Sequence, residues 1–148
     1  MRKRMDHVRD EQNDSQIRQG ESNDCTVRAC ANALDMHYDN AHELMRLGGR
    51  MFRSGMSFMM YMDKKTTLGG CRVNEMDFQS WRRGPKMTLL KFCKKYTEGR
   101  YIVIRNGHAL AVIDGVIHDN NGNNTPNQWV LRAYKVTLPT PMEEVCSE

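Results

Sequence analysis

Five cysteines (25, 30, 71, 93 and 146) and five histidines (7, 37, 42, 108 and 118) are the residues best suited to nucleophilic or metal chemistry. Metal binding is not expected, because no CxxC occurs and no histidine flanks a cysteine at zinc-finger spacing. No cofactor is expected either. A cysteine nucleophile works as the thiolate, and at an ordinary pKa of about 8.5 only a few per cent is ionised at neutral pH. A helix N-terminus or a neighbouring imidazolium corrects this. Cys25 follows Asn23-Asp24, two good N-cap residues, so it falls in the first turn of an expected helix running to Leu34. Cys30 lies five residues on, where the helix-end field has faded, and reads as a buried structural thiol. Alone, Cys25 would read as inert; a suitably placed histidine changes that.

His108 opens such a possibility. Asp114-Gly115 is a strong two-residue hairpin turn between the strands His108–Ile113 and Val116–Asp119. This turn sets Ile113 opposite Val116, Val112 opposite Ile117 and Leu110 opposite Asp119. His108 then faces Asn121 and is a diagonal neighbour of Asp119 on the same side of the hairpin, at roughly the 7–8 Å that longer side chains bridge. Asp114 lies at the far end, about six residues or roughly 20 Å away, and His118 points to the other face. Asp119 and Asn121 both remain candidates to orient the His108 ring.

The elements that must position these groups follow from the pattern. A second helix is expected from Asp39 through Leu47, with Asn40 and Glu43 as a capping box and Gly48-Gly49 as its stop. Thr88 caps a helix through Tyr96 with a Gly99 stop, and Arg100–Arg105 (RYIVIR) is a β-branched strand. Asn74 to Trp81 reads as a short helix and Trp129 to Val136 as one final strand. Gly69-Gly70 marks a turn, and residues 120–128 form an Asn-dense loop. Residues 1–18 are a polar lead-in, irregular like the stretch after it to Ser22, and 138–148 an irregular tail. Met51, Met56, Met59, Met60 and Met62 crowd a segment that reads as core filling by a short helix beside a loop, with a Met-lined substrate groove as the rival reading. Helices first and a meandering antiparallel sheet last make an α+β chain, an N-terminal central helix packed on a C-terminal sheet.

Composition narrows the classes. The 148 residues suit a single domain that needs no disulfide or metal staple. No apolar stretch approaches a membrane span or a signal-peptide core, so neither membrane association nor signal-peptide secretion is expected. Reduced cytosolic thiols are expected in turn. The balance of 22 basic against 18 acidic residues, +4, is too mild to mark a nucleic-acid binder. A cluster of basic residues between Arg82 and Arg105 reads as a solvated helix face, because no nucleic-acid motif or aromatic platform accompanies it.

Taken together, Gln19, Asn23-Asp24-Cys25-Thr26-Val27-Arg28-Ala29, Gly99-Arg100-Tyr101-Ile102-Val103, Gly107-His108, Ala111-Val112-Ile113-Asp114-Gly115 and Asp119 resemble a papain-like cysteine peptidase. The resemblance is strongest to the small C39-like domains encoded by tailed bacteriophages. It covers about 19–35 and 88–120, roughly a third of the chain, and leaves the middle unmatched. It implies a papain-like fold and a thiol hydrolase acting on an amide bond, with Cys25 as nucleophile, His108 as acid and base, and Asp119 orienting the ring. Gln19, six residues before Cys25, is implied as an oxyanion donor beside the Cys25 backbone N–H. The His108-to-Asp119 interval is shorter than in larger peptidases of this kind, as a two-residue turn requires, and keeps Asn121 a rival for the third role. The implied partners are a protein or peptide substrate, with phage virion proteins or a host protein as candidates, and the implied setting is the bacterial host cytoplasm or the phage virion. The competing expectation is a catalytically silent copy of the fold serving as a virion component or a host-directed binding protein.

Overall fold

The computed structural model describes residues 7–9, 15–76, 87–119 and 124–139. Its frame is a seven-stranded sheet in the order β1 (His7–Arg9), β7 (Val116–Asp119), β6 (His108–Ile113), β5 (Arg100–Arg105), β9 (Arg132–Thr137), β3 (Cys71–Glu75) and β2 (Thr67–Leu68). The central strands are β5 (Arg100–Arg105) and β6 (His108–Ile113), both at the expected boundaries, followed by β7 (Val116–Asp119). The expected hairpin register is found: Ile113 pairs with Val116, Val112 with Ile117 and Ala111 with His118. Asp114 and Gly115 both take positive φ, 51° and 78°, as a two-residue turn of this hand requires. Gly115 has a second constraint, since a Cβ there would stand 2.9 Å from the Cys93 carbonyl oxygen.

Alternation along these strands divides the core in two. Ile102, Ala109 and Ala111 face the layer of α2 (Cys25–Ala33) and α3 (Tyr38–Leu47). Tyr101, Val103, Leu110, Val112 and Ile117 face α5 (Leu89–Lys95), with its buried Leu89, Phe92 and Cys93. Beneath α2, β6 carries Ala109 and Ala111, and α2 presents Ala29, Cys30 and Ala33 in return. Small residues on both surfaces let the helix lie close on the sheet, so the position of its first turn is set by packing. At its far end, Arg100 donates from Nε to the Ala33 carbonyl at 2.8 Å and from a terminal nitrogen to that of Asn32 at 2.7 Å. A guanidinium there satisfies the open carbonyls and complements the helix dipole.

Several expectations are corrected. The lead-in is not wholly irregular: β1 (His7–Arg9) joins β7 in parallel, with Arg9 beside Asp119, and α1 (Gln16–Gln19) is capped by Ser15. Helix α3 starts one residue early and is capped by His37, whose Nδ1 accepts from the Asp39 N–H at 3.1 Å. Glu43 pairs with Arg46 instead of closing a capping box on Asn40. Asn74 and Glu75 belong to β3 (Cys71–Glu75), not to a helix; this strand forms a hairpin with β2 (Thr67–Leu68) across Gly69-Gly70 and pairs with β9. The rest of the expected 74–81 helix, from 77, lies outside the described residues. The final strand is two: β8 (Trp129–Val130) pairs with β4 (Met87–Thr88), and β9 (Arg132–Thr137) pairs with β5 and β3. The break falls at Leu131, whose N–H bonds to the Ile104 carbonyl at 2.8 Å. Among the described residues no helix is long and apolar enough to cross a membrane.

Candidate active site at the head of α2

Asp24 occupies the N-cap position but does not cap with its side chain. Its carboxylate is buried and accepts instead from the Tyr38 hydroxyl at 2.7 Å and from Arg28 at 2.8 Å. The first-turn N–H groups are thereby left unclaimed by the cap residue, and their partial positive charge falls on Cys25. Asn23, at φ 52°, makes the tight entry into the helix. Thr26 donates from its hydroxyl to the Met56 carbonyl at 2.9 Å, which holds the 54–57 loop over the same turn.

The lead-in is clamped from behind. Glu21, its side chain sealed from solvent, accepts from Arg50 at 2.8 and 3.0 Å and from the Arg53 N–H at 2.9 Å, and contacts His42 at 2.5 Å. Burial works to raise the Glu21 pKa, but these hydrogen bonds outweigh it and hold the carboxyl at about 2.

Cys25 and His108 meet although the strand places them on opposite sides of the sheet. His108 shares the face of Leu110 and Val112, whereas α2 packs on the face of Ala109 and Ala111. The contact is possible because His108 is the first residue of β6, beside the Asn106-Gly107 turn, where the β5–β6 pairing ends. The Cys25 sulfur has the His108 ring and the Ala109 backbone N–H as its hydrogen-bonding neighbours, with Thr26 beside it. His108 Nε2 lies 2.6 Å from Asp119 Oδ2. With Nε2 committed to the carboxylate, Nδ1 is the ring nitrogen left for the sulfur.

The chain of contacts continues past the expected three residues. Asn124 donates from Nδ2 to Asp119 Oδ2 at 2.8 Å and accepts on Oδ1 from Arg105 Nε at 2.9 Å. A carboxylate can only accept and a guanidinium can only donate, so the two neighbours fix the orientation of the Asn124 amide. Asp119 is thus held from two sides in a nearly sealed position, 3% exposed.

The electrostatics follow from these contacts. For Cys25, burial favours the neutral thiol, but the bonds from His108 and the Ala109 N–H and the imidazolium charge prevail, and its pKa lies below the ordinary thiol value. For His108, burial opposes the charged ring, yet the bonds and charges of Asp119 and Cys25 raise its pKa to about 9. Both shifts act in the same sense, favouring the thiolate and imidazolium forms of the pair. Cys30 behaves oppositely: complete burial pushes its thiol far up.

Above the pair opens a cleft of about 350 Å³, lined by Asn23, Cys25, Met56, Met59, Arg105 and His108 among others. It shares Met59, Ile104 and Arg105 with a larger groove of about 810 Å³ that runs past Gln128, Trp129 and Arg132. The Met-rich segment divides between core and cleft wall. In and just beyond α4 (Phe58–Tyr61), Phe58 and Met62 are core, whereas Met56 and Met59 line the cleft.

Of the sequence candidates, Cys25, His108 and Asp119 come together. Gln19 does not join them: it is exposed at the end of α1 and absent from the cleft lining, where Asn23 stands instead. Asn121 lies outside the described residues, so its rivalry with Asp119 is not decided by contacts of its own. Asn124 and Arg105 were missed. The Asn-dense loop was a signal that an amide could reach the hairpin, but its register was not readable without the fold. Among the described residues no group of three His, Cys, Asp or Glu is placed to hold a metal ion. Comparison with protein-family models, with curated proteins and with solved structures gave no match.

Proposed function

We propose that the chain is a cysteine peptidase-like thiol hydrolase that cleaves an amide bond through Cys25, His108 and Asp119. The observation that carries this reading is the unbroken chain of contacts from Cys25 through His108 to Asp119, at a helix head and at the floor of an open cleft. The resemblance of the surrounding residues to papain-like peptidases extends the reading to the fold.

The chemistry follows from the protonation states. Cys25 thiolate attacks the amide carbonyl carbon, forming a C–S bond and placing a negative charge on the oxygen. The Cys25 backbone N–H, at the start of α2, faces that charge as a donor; one such donor is worth about 3 kcal/mol in comparable sites. His108 then gives its proton to the leaving nitrogen as the C–N bond breaks, leaving a thioester on Cys25. Water attacks the thioester while His108 takes its proton, and the acid product departs with the thiolate and imidazolium restored. Asp119, steadied by Asn124, keeps the ring in the tautomer and orientation both steps need.

The test is to incubate the protein with a randomised peptide library, quench in acid and weigh the protein. Acyl adducts on Cys25 together with cleaved peptides are expected, both lost in Cys25→Ala. Cleavage undiminished in Cys25→Ala, or neither adduct nor cleavage with the intact protein, overturns the proposal.

A further inference from the structure

Three hollows run together past Cys25. Besides the Met59, Ile104 and Arg105 wall shared with the large groove, the cleft shares Gly55, Met56 and Ser57 with a hollow of about 440 Å³ flanked by Met51 and Met60. The thiol therefore sits along a trough and not at its blind end. Such a shape suits the middle of an extended chain more than a terminal group. Much of the trough is apolar and adaptable, with Met56, Met59 and Ile104 near the thiol and Trp129, half exposed, further along.

Three guanidinium groups line it, of which Arg50 is already held by Glu21. Arg132 is already neutralised, donating to Glu75 Oε2 at 2.5 Å. Arg105 is half-buried at the junction of cleft and groove, and its only described partner is the neutral amide oxygen of Asn124, on Nε. Its terminal nitrogens form no ion pair among the described residues. Asp119, whose charge it feels, is engaged by His108 and Asn124. Arg28 and Arg50, by contrast, each hold a carboxylate, and Arg100 holds the end of α2. A partly desolvated guanidinium with a free planar fork is completed best by a carboxylate.

We infer that the substrate is an extended polypeptide bearing an Asp or Glu side chain close to the scissile bond, its carboxylate seated on Arg105 and its apolar neighbours against Met56, Met59 and Trp129. The inference rests on Cys25 being a peptidase nucleophile, and its test separates the two. Two alkylating agents of nearly equal size, iodoacetate and iodoacetamide, report the charge felt by a group entering the cleft. The ratio of their rates at Cys25 should fall roughly threefold or more in Arg105→Gln and persist in Arg105→Lys, because a unit charge within one cleft acts at this scale. Cleavage of the randomised library by the unaltered protein should enrich an acidic residue at one fixed position beside the cut, and Arg105→Gln should erase that enrichment. The library result on the unaltered protein stands even if the variant does not fold. Fast alkylation with a ratio indifferent to Arg105→Gln, or cleavage without acidic enrichment, overturns the inference and leaves the nucleophile standing. Slow alkylation of Cys25 by both agents overturns the nucleophile, and the substrate assignment with it.

Discussion

Two thiols on one helix have opposite fates. Cys25, in the first turn of α2, is half-buried and drawn toward the thiolate by an imidazolium and a backbone N–H. Cys30, less than two turns on, is fully buried among apolar residues and driven toward the thiol. Residue type and helix are the same, and both groups are desolvated. The difference is made by what arrives from the sheet: β6 begins with His108 at the level of Cys25 and continues with alanines beneath the rest of the helix. Reactivity here is a property of where a strand starts.

The comparison can be broken outright at its reactive end. Cys25→Ala should lower any amide hydrolysis by at least about a thousandfold, since a nucleophile and its base act as one unit. The fold should survive, because the residue lies at a helix end and contributes little to the core. Hydrolysis and circular dichroism on the same sample check both statements.

His108→Ala should make the two thiols alike. Without the ring, burial acts on Cys25 with less opposition, and its alkylation rate at pH 7 should fall about ten- to a hundredfold, toward that of an ordinary or suppressed thiol. The same pair predicts a pH signature. The His108 pKa is raised from 6.5 to about 9, so the stability contributed by the charged ring is fully present below pH 6.5 and is lost as pH rises toward and through 9. Thermal unfolding of the intact protein should weaken across that window, and the His108→Ala protein should lose this part of the profile.

Smaller changes should sharpen the contrast. Asn124→Ala removes one group steadying Asp119 while leaving the His108 contact, and turnover should fall about two- to tenfold, the scale of a single hydrogen bond. Cys30→Ala should leave alkylation of Cys25 unchanged and cost only about 1 kcal/mol of stability, from a small cavity in the core. Rate and denaturant midpoint together place each variant.

What could be read from the residues divides along the same line as the chemistry. The strands Arg100–Arg105 and His108–Ile113, the Asp114-Gly115 turn and the approach of Asp119 to His108 follow from short-range rules: β-branched runs, a turn dipeptide and alternation. Cys25 at a helix start follows from the residues just before it. The failures needed distant partners. Nothing local to His7–Arg9 says that it will pair with β7, and a strand of three residues leaves almost no periodic trace. The split at Leu131 exists because β5 and β4 compete for one stretch of chain. His37 takes the cap of α3 that Asn40 was expected to hold, a substitution decided by where the preceding turn delivers the chain. The six-residue spacing to Cys25 carries the oxyanion role implied for Gln19, but the residue is exposed at the end of α1, just ahead of the Glu21 clamp. Asn124 and Arg105 are brought to Asp119 by a loop whose course only the folded sheet determines.

The central claim is that Cys25 is a thiolate at neutral pH while Cys30 is not. Alkylation by iodoacetamide, followed residue by residue by mass spectrometry between pH 5 and pH 10, measures this directly. The account predicts rapid labelling of Cys25 already well below pH 8, a further change near pH 9 as His108 loses its proton, and no labelling of Cys30 in the folded protein. Labelling of Cys25 that rises only with the profile of an ordinary thiol would contradict it and leave a cleft that binds but does not cut.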